Sequence, residues 1–95
     1  MSVYMISYDL VNSGQNYDKI NNDIKKLGSH TEILNTTYIV ISNDTSEQIL
    51  NHLQSSLDLN DKLFIARLQG DASWSEPFSQ EISAWLMENI VDANL

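Results

Sequence analysis

The sequence predicts an α+β domain: a four-stranded antiparallel sheet carrying two helices, with a further helix at the C-terminal end. Three observations lead there. Segments of strand-period alternation and segments of helical spacing follow one another in the order strand, helix, strand, strand, helix, strand. Clusters of Asn, Ser, Gly and Asp separate them. A last amphipathic stretch follows the fourth strand after a polar loop. At 95 residues the chain makes one domain, residues 1–95, near the size where a single core is marginal and self-association adds burial.

Residues 3–10 form the first strand. Val3, Met5 and Ser7 alternate with Tyr4, Ile6 and Tyr8, and both sets are largely apolar, as in a central strand covered on both faces. Asn12, Ser13 and Gly14 then make a turn. Asn16 suits a helix N-cap, with Asp18 near the positive end of the helix dipole. Tyr17, Ile20, Ile24 and Leu27 recur on one helical face, Lys19 and Lys26 lie nearly opposite, and Gly28 ends the helix. Residues 31–35 and 37–42 read as a hairpin turning at Asn35 and Thr36, its second strand rich in β-branched and aromatic residues.

In "NDTSEQILNHLQSSL", Asp44 with Glu47 resembles a capping box, and Ile49, Leu50, Leu53 and Leu57 supply an apolar stripe. "DLND" breaks that helix, "KLFIARL" (62–68) is the fourth strand, and "QGDASWSE" is a loop. Pro77 suits the first turn of a final helix spanning about 77–91 and lined by Phe78, Ile82, Trp85, Leu86 and Ile90. This order is the split βαβ, or ferredoxin-like, pattern with an added helix, and it places the first and third strands centrally. The two internal helices cover one face of the sheet. The other face is also apolar and needs either the last helix or a second subunit.

Composition narrows the function classes. The 42% hydrophobic content excludes a disordered acidic tail. With no Cys there is no disulfide framework, no thiolate metal site and no thiol nucleophile. No apolar run approaches a membrane span, so no membrane partner is expected. Met1 leads straight into a strand without a secretory signal, which makes a cytoplasmic location the expectation and the Asn35 and Asn43 sequons chance matches. Thirteen acidic against five basic residues give a net charge of −8, and every charged residue after Arg67 is acidic. Such a chain repels phosphate backbones, so loose binding of DNA or RNA requires a local basic strip or metal ions.

Asp9 is the carboxylate of most interest. It ends a central strand where loops gather, and a hard cation such as Mg²⁺ or Mn²⁺ prefers oxygen ligands of this kind. The alternative is a plain turn residue. Ser7 and Tyr8 either orient a phosphate or water beside Asp9, or pack. Lys19 belongs with Lys25 and Lys26 to the main basic cluster, which Asp18 and Asp23 dilute; it reads as a phosphate contact or as a solvated face. Trp74 either stacks on a base or anchors a partner, or it packs its loop under the last helix. Asp44, Asp58 and Asp61 read as turn and cap residues. His30 and His52 lack the spacing of a zinc pair, and no P-loop, Gly-x-Gly-x-x-Gly or Ser-His-Asp order is present.

The stretches "VYMISYDL", "GQNYDKINNDIKKLG", "NTTYIVIS" and "NDKLFIARL" together resemble the small SinR-like family, related to the CRISPR-associated protein 2 and VapD group. The likeness covers about residues 3–75. It implies a ferredoxin-like fold that dimerises through its sheets. It also implies a metal-dependent phosphodiester cleavage role for the strand-terminal Asp, matched here by Asp9, in some members, and a dimeric DNA-binding scaffold in others. VapD-like relatives are associated with RNA cleavage and toxin–antitoxin modules. The CRISPR-type members carry an Arg shortly after the Asp and a more basic surface; here "VNSGQNYDK" offers only Lys19.

Two functional expectations follow. One is a homodimeric, divalent-metal-dependent nuclease of a mobile-element or defence system acting on RNA or DNA, with Asp9 as catalytic metal ligand and Ser7, Tyr8, Lys19 and Trp74 as substrate contacts. The other is a non-catalytic interaction or regulatory module that binds a protein partner through its acidic C-terminal half.

Overall fold

The computed structural model describes residues 1–11 and 17–90. Its elements are β1 (Ser2–Asp9), α1 (Tyr17–Lys25), β2 (His30–Leu34), β3 (Thr37–Ser42), α2 (Ser46–Leu53), β4 (Lys62–Leu68) and α3 (Gln80–Asn89), with a short 3₁₀ turn, Gln54–Ser56, extending α2. The strands form one antiparallel sheet in the order β2-β3-β1-β4. β1 and β3 are central, as their two-sided apolar pattern requires. β2 and β4 are the edges.

Side-chain alternation divides the core in two. Tyr4, Ile6 and Tyr8 of β1 and Tyr38 and Val40 of β3 point to one face, where α1 seats Ile20 and Ile24 and α2 seats Ile49 and Leu53. Ile6, Ile20, Ile24, Ile49 and Leu53 are completely buried. Each such side chain contributes about 1.5–3 kcal/mol of transfer free energy. On the other face Val3, Met5 and Ile39 meet Leu86 of α3 and Ile90 at its C-cap, with Trp74, Phe78, Ile82 and Trp85 packed around them. α3 covers only part of this face. Phe64 of β4 remains 61% exposed.

Two helix starts differ from the sequence reading. The capping box of α2 is built one residue later than Asp44 and Glu47: the Thr45 hydroxyl accepts from the Gln48 N–H at 3.2 Å, and the Gln48 side chain accepts from the Thr45 N–H at 2.8 Å. A hydroxyl with a Gln three residues on satisfies both end donors, which leaves Asp44 outside the box. Its carboxylate instead lies 3.3 Å from His52 Nε2. The final helix begins at Gln80 rather than near Pro77. Ser79 accepts from the Ile82 N–H at 3.2 Å and caps it, while Pro77 occupies a turn closed by the Phe78 N–H on the Ser75 carbonyl. The α2 stripe is also narrower than expected: Ile49 and Leu53 are buried, but Leu50 is 37% exposed. The turn at Asn12–Gly14, the Asn16 cap and the helix end at Val91 lie outside the described residues.

Candidate functional site

Asp9 is the last residue of β1 and is exposed, between buried Tyr8 and Leu10. The chain beyond it is tethered to the approach to β4, because the Val11 N–H donates to Asp61 Oδ1 at 2.9 Å. Asp61 Oδ2 in turn accepts from the Asp58 N–H at 2.7 Å, so Asp61 shapes the turn that aligns the two strands. Across the β1–β4 ladder Asp9 faces Lys62, and Ser7 faces Phe64. Residues opposite one another in an antiparallel pair share a face. Asp9, Lys62, Ser7 and Phe64 therefore line one shallow depression on the face that α3 only partly covers. The Ser7 hydroxyl is 3.0 Å from that of Thr37, across the β1–β3 ladder.

The other side chains singled out in the sequence lie elsewhere. Tyr8 follows Ser7 directly and so points to the opposite face. It is buried under α1, where its hydroxyl donates to Asn21 Oδ1. Burial pushes its phenol up to about 12, with further small contributions from Tyr38, Glu32 and Tyr17, so it stays protonated at neutral pH. Lys19 is on α1, with Nζ 3.4 Å from Asp23 Oδ2 and 3.2 Å from Ser56 Oγ. Asp23 also accepts from the Ser56 hydroxyl, and that bond is the main reason its carboxyl titrates below the ordinary range. Lys19, Asp23, Lys26, Asp44 and His52 thus form a charge-compensated groove between α1 and α2. Trp74 packs in the second-face core, and its Nε1 donates to Ser83 of α3 at 3.1 Å.

Of the residues considered, Ser7, Tyr8 and Asp9 all border the depression, Tyr8 with its ring turned away under α1; Lys19 and Trp74 do not join them. Lys62 is a neighbour that sequence reasoning passed over. Only the β1–β4 register, a pairing of residues far apart in the chain, places it opposite Asp9.

Among the described residues no group of three His, Asp or Glu side chains is close enough to hold a metal ion. Asp9 is the carboxylate that lines this depression, with Asp61 engaged by backbone N–H groups at the adjoining turn. Mg²⁺ is bound through one or two carboxylates, with water and substrate phosphate oxygens completing its shell. Asp9 supplies one ligand of this kind.

No family model matches the chain, and no solved structure matches it. No helix among the described residues is long and apolar enough to cross a membrane.

Proposed function

We propose that the chain is a homodimeric, ferredoxin-like relative of the SinR-like, CRISPR-associated protein 2 and VapD group, in which two Asp9 carboxylates hold a divalent cation for phosphodiester cleavage. The observation that carries this reading is the position of Asp9 beside a partly uncovered sheet face. Ser7, Lys62 and an exposed Phe64 surround it. A two-fold contact centred on that patch buries Phe64 and brings the two carboxylates toward one another. The strand order β2-β3-β1-β4, with its antiparallel pairing, supports the scaffold part of the reading.

Each part of the mouth then has a role. The Asp9 pair would hold Mg²⁺ or Mn²⁺, which when bound supplies positive charge for the scissile phosphate and lowers the pKa of water. Lys62, opposite Asp9, attracts the phosphate to a chain whose net charge of −8 otherwise repels it. The Ser7 hydroxyl, next along the same face, donates toward the substrate once it turns from Thr37. Binding is accordingly weak without the cation, and with one Lys per chain at the mouth its salt dependence is shallow.

The test is incubation of purified protein with labelled single- and double-stranded RNA and DNA, with and without Mg²⁺ or Mn²⁺, for the wild type and Asp9→Asn. Metal-dependent cleavage that disappears in the variant, with dimer and fold intact, is the expected result. No cleavage by an intact wild-type dimer under any of these conditions removes the enzyme reading.

A second reading has its own observations: the five charged residues after Arg67 are all acidic, and among the described residues no group of three His, Asp or Glu side chains is close enough to hold a metal ion. A non-catalytic module binding a basic protein through that acidic half fits these facts. It requires Asp9→Asn to be silent and partner binding to weaken steeply with salt.

A further inference from the structure

Between the second sheet face and α3 is a cavity of about 360 Å³ that opens to solvent. Its floor is Met5 and Ile39, its far wall is Leu86 and Ile90, and Trp74 and Phe78 close the loop side. Ligand pockets for small molecules range over about 300–1,000 Å³ and are mostly apolar with a few polar groups. This cavity meets both conditions, with Ser73 and Ser75 on the loop as its polar members. The Trp74 N–H is already used, donating to Ser83, so the indole offers a ligand its ring rather than its polar edge.

Charge selects the class of ligand. The lining run Ala72–Ser75 is flanked in sequence by Asp71 and Glu76, both exposed, and Glu81 follows in the first turn of α3. No Lys or Arg occurs after Arg67. Arg67 itself alternates with Leu68 along β4, so it points to the opposite face, the α1 lysines are also on that side, and Lys62, which does share this face, sits opposite Asp9 at the other end of β4 from the lining residue Leu68. An anionic guest therefore meets only acidic neighbours in this loop and helix, and a neutral guest gains nothing from them. A cationic head gains both from the carboxylates and from the aromatic faces, whose quadrupoles attract positive charge.

We infer that the cavity under α3 is a binding site for a small apolar organic cation, an aryl or alkyl body carrying an ammonium group. The body fills the space over Met5, Ile39 and Leu86. The head lies at the loop, toward Asp71 and Glu76. This site is separate from the Asp9 mouth, shares no lining residue with it and does not depend on cleavage activity.

The experiment compares three probes with a common phenylalkyl body: 3-phenylpropyl-trimethylammonium, 4-phenylbutanol and 3-phenylpropane-1-sulfonate. Each is titrated into the full chain, with tryptophan emission and calorimetry as readouts. Trp74 and Trp85 are the two tryptophans, and both belong to the second-face core. The ammonium is expected to bind saturably and at least about tenfold more tightly than the alcohol, which is a difference of about 1.4 kcal/mol. The sulfonate is expected to bind weakest. The surface pair Asp71→Asn with Glu76→Gln, which leaves the apolar lining intact, is expected to erase the advantage of the ammonium while the alcohol binds as before. Ala72→Leu, which adds bulk to the lining, is expected to weaken all three, with an unchanged circular dichroism spectrum. Equal binding of the three probes, an ammonium preference untouched by the charge variant, or no saturable ammonium binding overturns the inference. Asp9→Asn leaves every one of these titrations unchanged, which keeps the outcome separate from the nuclease test.

Discussion

At the scale of single residues, Gly28 is tightly constrained. A Cβ built there lies 2.1 Å from the Ile41 carbonyl oxygen, because the link from α1 into β2 passes directly against β3. The neighbouring Ser29 carbonyl accepts from the Ile41 N–H at 2.8 Å, so the two backbones cannot separate without losing a sheet bond. Gly28→Ala is expected to cost about 1–3 kcal/mol in urea unfolding, the range for forced overpacking. Tyr8 makes a second prediction. Its phenol is raised from 10.0 to about 12 in the fold, so the contribution is full below pH 10 and is lost as pH rises through 12. Wild type should lose stability over that interval, and Tyr8→Phe should flatten the loss. The sequence placed Tyr8 beside Asp9 as a site residue, since the two are neighbours in the chain. In a strand, adjacency means opposite faces, and knowing which face carries the site requires knowing where α1 packs.

At the scale of elements, the helices are held by small polar contacts whose position decides the boundary. The Thr45 and Gln48 pair satisfies two end donors of α2. Thr45→Ala should therefore cost about 1 kcal/mol. Asp44→Ala removes an exposed pair with His52, worth at most about 1 kcal/mol and less in high salt. Equal effects from the two would mean the cap had been misplaced. The 3₁₀ turn after α2 is tied to α1 by the Ser56 hydroxyl on Asp23. A carboxylate whose folded pKa is lowered stabilises above its unfolded value of about 3.9 and loses that contribution as pH falls through the folded value. The difference in stability between wild type and Ser56→Ala should be about 1.5–3 kcal/mol at pH 7, the range for hydrogen bonds to charged groups. It should shrink once the solution is more acidic than the folded pKa. The strands were legible to within a residue at each end, because hydrophobic alternation is local. Helix starts were less so: several Ser, Thr and Asp residues near each start were competent caps, and the choice among them depends on where the first buried turn docks.

At the scale of the whole molecule, the unanswered demand of the sheet is its second face. The sequence showed that this face is apolar and left open whether α3 or a second subunit covers it. α3 covers the part over Met5 and Ile39, yet Phe64 on edge strand β4 is 61% exposed beside Ser7 and Asp9. An isolated exposed aromatic is ordinary on a protein surface. Here it lies next to an unpaired sheet edge and the strand-terminal carboxylate on which the proposed cleavage depends, so its burial and the pairing of Asp9 are one event. Phe64→Ser changes a largely exposed side chain and should leave the unfolding midpoint of the monomer within about 0.5 kcal/mol of wild type. In sedimentation equilibrium the same variant should shift from dimer to monomer. If two carboxylates form the dimer centre, their repulsion opposes association until a cation neutralises them. Wild-type association should then tighten on adding Mg²⁺, Asp9→Asn should associate as tightly without the ion, and Phe64→Ser should stay monomeric with or without it. A wild type whose association ignores Mg²⁺, or a Phe64→Ser protein that still dimerises, would place the two Asp9 residues apart and leave the acidic interaction module as the reading of this chain.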